Sequence, residues 1–135
     1  MTEQECAFCK IVAGELPAQI VDEDERTVAF MGASPATRGH ALVVPRRHAA
    51  DLLEVDGDDL AATLRVAQRL ATNAARRLGA DGVNLATGWA GTAPPSVHHF
   101  HVHVMPRYQN DRLRLPWRPA PGAPDEIAAA GAALR

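Results

Sequence analysis

The stretch H-H-F-H-V-H-V-M-P-R, residues 98–107, decides how the rest of the chain is read. Side chains alternate across an extended strand, so His99, His101 and His103 share one face while His98, Phe100, Val102 and Val104 share the other. One face carries apolar residues for a core; the opposite face lines up three imidazoles. Histidine is sparse, with six in the 135 residues, so an exposed polar strand face is an improbable account of three at alternate positions. An unprotonated ring nitrogen serves as a metal ligand or as a nucleophile, and both metal ligation and chemistry at a phosphorus centre are open here.

Working outward, residues 82–87 have strand-like composition and lead into a loop with Gly88, Gly91, Pro94 and Pro95. Before them the period changes. Leu60, Leu64, Ala67, Ala71, Ala74 and Leu78 recur at steps of three and four, which predicts one face of a long helix. Asp56 with Asp59 is expected to cap its start, and Gly79 to stop it. Its many alanines suit close packing or a dimer contact. Residues 40–44, between Gly39 and Pro45, are a further strand, and the charged turn 22–25 joins residues 18–21 and 27–30 as an early hairpin. Seven of the ten prolines lie after position 93, so residues 116–124 are expected to be extended, ahead of a short helix over 127–134.

Strands in runs around one long helix predict an α+β fold with a mostly antiparallel sheet. Residues 1–135 are expected to form one domain, with 116–135 as its proline-rich tail and short C-terminal helix. The composition, 47% hydrophobic and 22% charged, is that of a globular chain. A formal charge of -2 lacks the basic surplus of a protein that binds nucleic acid polymers. No apolar run approaches a membrane span, and the acidic opening residues do not resemble an export signal, so a cytoplasmic protein is expected. In that setting the C-x-x-C of Cys6 and Cys9 points to metal or redox use before a structural disulfide.

The string H-F-H-V-H-V-M resembles the motif of the histidine triad family, His-x-His-x-His-x-x with apolar x positions. Further matches lie in the block that opens at Cys6-Ala-Phe-Cys9, in G-H-A-L-V-V-P-R-R-H at residues 39–48, and in Pro106-Arg107-Tyr108. Together they cover roughly residues 6–107. The resemblance implies a homodimer in which two five-stranded antiparallel sheets join into one continuous sheet, with the long helices at the interface. It implies that His101 attacks the α-phosphorus of a nucleotide derivative to give a nucleotidyl-histidine that water hydrolyses. His103 would stabilise developing charge, His40 would support the network, and Ser96 would hydrogen-bond the bridging atom or the leaving group. It also implies a structural zinc held by Cys6, Cys9, His48 and His99.

The chain departs from the family pattern at Gly32, where many members have an Asp that grips the ribose, at Gly88, and at Pro94-Pro95. Trp89 and Trp117 are candidate stacking surfaces for the substrate. The expected activity is hydrolysis or nucleotidyl transfer on a nucleoside phosphoramidate, a dinucleoside polyphosphate or a related ester. The alternatives are transfer to a sugar phosphate and a non-catalytic, zinc-stabilised nucleotide-binding partner protein.

Overall fold

The computed structural model describes residues 5–88, 97–114 and 118–135. In chain order they form α1 (Ala7–Val12), β1 (Ile20–Glu23), β2 (Thr27–Met31), β3 (Ala41–Pro45), α2 (Gly57–Arg77), β4 (Gly82–Ala86), β5 (Val102–Arg107) and α3 (Pro124–Leu134). The strands make one five-stranded sheet in the order β1-β2-β3-β5-β4, and every neighbouring pair is antiparallel. This is the α+β architecture expected from the sequence.

The early hairpin closes through Asp24, whose Oδ1 accepts hydrogen bonds from the backbone N–H of Arg26 and Thr27 and from the Thr27 hydroxyl. A short polar side chain that folds back onto backbone donors is what a tight turn selects. Ahead of β3, Gly39 has φ +87°, and a Cβ there would lie 2.6 Å from Leu78 Cδ1. Glycine therefore lets the end of α2 close down on the sheet.

Asp56 caps α2 by accepting from the N–H groups of Asp58 and Asp59. Asp59 does not return the bond, contrary to expectation: its carboxylate is buried and pairs with Arg26 at 2.9 Å. The buried face of the helix also differs from the expected stripe. Ala62, Thr63, Val66, Ala67 and Ala74 are buried, whereas Leu64 is 43% exposed. Val66 lies deeper because the apolar stripe drifts around a 3.6-residue helix instead of holding one register.

The sheet has an apolar core on each side. Under α2, Ala29, Val43, Phe100, Val102 and Val104 meet Val66 and Ala67. On the other face α1 covers Val28, Phe30 and Val44 with Cys6 and Phe8. The β5 ladder starts at Val102, four residues later than the sequence suggests. Its partner β3 ends at Pro45, which has no N–H to extend the ladder, and residues 98–101 take other partners. The Phe100 N–H bonds the Ala49 carbonyl at 2.7 Å. The alternation of faces survives this change.

Residues 118–123 have no regular structure, and α3 begins at Pro124, three residues before the expected start, because proline is well tolerated at the first helical position. None of its residues is buried. Among the described residues no helix is long and apolar enough to cross a membrane.

Candidate active site and metal centre

Three rings lie next to one another on the face opposite α2, and the hydrogen bonds each makes assign their protons. The Ala36 N–H donates to Nδ1 of His40 at 3.0 Å, so the His40 proton sits on Nε2. That nitrogen lies 2.9 Å from Nδ1 of His103, which accepts and so carries its own proton on Nε2. At His101 the order is reversed: Nδ1 lies 2.7 Å from the His99 carbonyl, which can only accept. The His101 proton is therefore on Nδ1 and its lone pair on Nε2. The His101 and His103 ring centroids are 5.0 Å apart. A ring nitrogen with its lone pair available and an N–H donor thus belong to neighbouring rings.

Burial keeps these rings neutral. It pushes the pKa of His40 and of His101 below the ordinary histidine value, with the bond to the His99 carbonyl working the other way at His101. His103 is pushed down to about 4, by burial and then by repulsion from charge on His101 and His40. The backbone of His101 is also held, since the Thr87 hydroxyl at the end of β4 donates to its carbonyl at 2.7 Å.

A second cluster adjoins the first through His99. Its Nδ1 lies 3.3 Å from Sγ of Cys6 and 3.3 Å from Sγ of Cys9, and His48 Nδ1 lies 3.2 Å from Sγ of Cys9. One ligand atom from each of the four residues falls within 4.8 Å of every other. In a tetrahedral shell, Zn–S bonds of ~2.3 Å and Zn–N bonds of ~2.0 Å put sulfur and nitrogen ligands ~3.5 Å apart, close to these separations. The protonation pattern also fits. His99 Nε2 donates to the Pro45 carbonyl at 2.8 Å, which leaves the lone pair on the nitrogen that faces the sulfurs. The Cys9 N–H donates to the Cys6 sulfur at 3.2 Å. The cysteines are not disulfide-bonded, and the four side chains can hold a metal ion.

The structure thus brings together His40, His101 and His103 in one group and Cys6, Cys9, His48 and His99 in another. Ser96, Trp89 and Trp117, with Pro94 and Pro95, lie outside the described residues. Gly32 sits against His40: its N–H bonds the His40 carbonyl at 2.9 Å, and a Cβ there would lie 3.3 Å from that oxygen. Among the described residues nothing lies within 4 Å of where a Cβ on Gly88 would stand. Sequence reasoning missed four parts of the site: Phe8, the Ala36 N–H, the Pro45 carbonyl and Thr87. Only Phe8 carried a signal, as an aromatic residue set between two candidate ligands.

An antiparallel sheet with paired histidines on one face and a Cys/His cluster beside them defines the class of protein. The HIT domain model matches residues 13–110. The chain is 38% identical over 106 residues to the uncharacterized HIT-like protein MJ0866 of Methanocaldococcus jannaschii, covering 78% of this chain and 81% of that one. It is 32% identical over 127 residues to the adenosine 5'-monophosphoramidase hnt1 of Schizosaccharomyces pombe, covering 93% and 92%. Among solved structures, a Zn-bound histidine triad family protein from Mycobacterium smegmatis superposes with a TM-score of 0.79 at 36% identity, covering 98% of this chain and 97% of that one. The chain belongs to the HIT family.

Proposed function

We propose that this protein hydrolyses or transfers the nucleotidyl group of a nucleoside phosphoramidate, a dinucleoside polyphosphate or a related ester, with His101 as the nucleophile. The observation that carries this reading is the bond from His101 Nδ1 to the His99 carbonyl, which directs the lone pair to Nε2 in a ring that burial keeps unprotonated. Nε2 attacks the α-phosphorus, a nitrogen–phosphorus bond forms, and the bond to the leaving amine or phosphate breaks with its electron pair. The leaving group takes a proton from solvent. Water then attacks the same phosphorus, breaks the bond to Nε2 and releases the nucleotide. His103, with its proton on Nε2, donates to the phosphoryl oxygens as charge develops, and His40 holds it in that tautomer. Ser96 hydrogen-bonds the bridging atom or the leaving group, and Trp89 contacts the substrate.

The adenosine 5'-monophosphoramidase among the relatives supports an adenosine phosphoramidate as the first substrate to try. Cys6, Cys9, His48 and His99 hold zinc, and four protein ligands leave no position for a reactive water, so the metal is structural. A reducing compartment such as the cytoplasm suits a thiolate pair in this role. The protein acts as a homodimer joined along β4 and α2: β4 is an edge strand, and Leu64 and Leu85 beside it are 43% and 49% exposed. The deciding experiment offers adenosine 5'-phosphoramidate to the purified protein and quenches in acid-free denaturant. AMP release together with a nucleotidyl adduct on the peptide containing His101 supports the reading. No turnover and no adduct across phosphoramidate and dinucleoside polyphosphate substrates overturn it.

A further inference from the structure

The C-x-x-C segment carries more than two metal ligands. Between them stands Phe8, almost fully buried, whose ring meets three others: Phe30 at 5.3 Å, His99 at 6.1 Å and His101 at 5.1 Å between centroids. Toward His101 the planes are nearly perpendicular, at 86°, the edge-to-face arrangement that aromatic pairs prefer. The imidazole of His101 is held by its Nδ1 contact, and its Nε2 makes no hydrogen bond among the described residues. Rotation of the ring by half a turn would put Cδ2 in the place of Nδ1 and Cε1 in the place of Nε2, losing the bond to the His99 carbonyl that fixes the tautomer, and Phe8 stands against the ring that would have to turn. Its own placement depends on α1, a helix of six residues, too short to hold itself and tied to His48 and His99 through Cys6 and Cys9.

We propose that Phe8 is a positioning residue for the nucleophile: anchored on both sides by the metal-binding cysteines, its ring holds the His101 imidazole in the orientation and tautomer that present Nε2 to phosphorus. This deepens the reading of His101 given above and rests on it. Zinc ligation by Cys6 and Cys9 fixes α1, α1 fixes Phe8, and Phe8 limits His101, while ligation of His99 fixes the carbonyl to which His101 bonds. The metal cluster therefore reaches the nucleophile by two routes, one along the backbone and one through an aromatic contact.

The test compares the zinc-loaded parent protein with Phe8→Leu, which keeps an apolar side chain of similar bulk and loses the ring, and with Phe8→Tyr, which keeps it. Zinc per chain, kcat and KM for adenosine phosphoramidate, and the His101 tautomer from long-range 1H–15N spectra at neutral pH are measured on each. Phe8→Leu is expected to retain zinc, to lose about tenfold or more in kcat with KM changed less than about threefold, and to show a second His101 tautomer. Phe8→Tyr is expected to restore kcat and the single tautomer. Parent-like kcat and a single tautomer in zinc-loaded Phe8→Leu overturn the proposal. In the unmutated protein, removing zinc with a chelator is expected to bring out the second tautomer, and a His101 ring signature identical with and without zinc overturns the proposal even where Phe8→Leu does not fold. The tautomer comparison needs no substrate. A parent that turns nothing over therefore counts against the reaction, and the spectra still decide the role of Phe8.

Discussion

His99 and His101 are joined by a hydrogen bond, 2.7 Å from the carbonyl of the first to Nδ1 of the second, and the ring of His99 belongs to the Cys/His cluster. One residue thus faces both groups, its side chain toward the sulfurs and its main chain toward the His101 ring. The alternation of the strand makes this economical: residues two apart lie on the same face, so a ring of the Cys/His cluster and a ring of the histidine group can adjoin without a loop between them.

If His101 is the nucleophile, His101→Ala should lower turnover of adenosine phosphoramidate by about three orders of magnitude or more and leave no nucleotidyl adduct, since loss of an attacking group removes the covalent path. The fold should survive, with Tm lowered by less than about 8 °C, the scale of one lost hydrogen bond in a domain of this size. Activity within about tenfold of the parent would refute the mechanism.

The depressed pKa of His103 sets a pH dependence. The folded state disfavours its proton, so between about 4 and the ordinary histidine value the unfolded chain binds more protons, and stability falls as pH is lowered through that window. Protonation would also set an N–H on Nδ1 against the Nε2–H of His40. Thermal melts from pH 7 to 4 should show a steeper loss in the parent than in His103→Gln, with kcat/KM of the parent still flat at the ordinary histidine value and falling as the pH approaches about 4. Equal slopes for the two proteins would contradict the assignment.

What could be read in advance follows the range of the interactions. The split between Phe100, Val102 and Val104 on one face and His99, His101 and His103 on the other is a local consequence of a two-residue period, and it holds even where the ladder stops short. The capping by Asp56 is local too. The role of Asp59 was not legible because its partner Arg26 is 33 residues away in sequence, and a buried carboxylate takes the nearest guanidinium in space. Phe8 and His101, or Pro45 and His99, meet only once the sheet has formed and α1 has folded over it. The backbone groups of Ala36 and Pro45 leave no mark in a sequence, since every residue carries a carbonyl.

Purified from metal-sufficient medium, the protein should hold about one zinc per chain, and Cys6→Ser should lose most of it. If the metal serves the fold, a chelator should lower Tm, and titration of the stripped protein with Zn²⁺ should restore Tm and release protons. Calorimetry with elemental analysis measures all three. A metal-free protein whose Tm is unchanged by chelator or by added zinc would return the four side chains to ordinary packing.

Joining two copies along β4 and α2 would cover Leu64 and Leu85 and give the free edge of β4 a partner. Leu85→Asp places a charge at the centre of that surface and should cost a few kcal/mol of association free energy, about 10²-fold or more in the dimer dissociation constant. Sedimentation velocity at micromolar concentration should find the parent at twice the chain mass and Leu85→Asp at the mass of one chain. Arg69→Ala, which removes the ion pair with Asp22 at the opposite edge of the sheet, should leave the dimer intact. A parent that sediments as a single chain, or a Leu85→Asp variant that remains paired, would place the contact elsewhere.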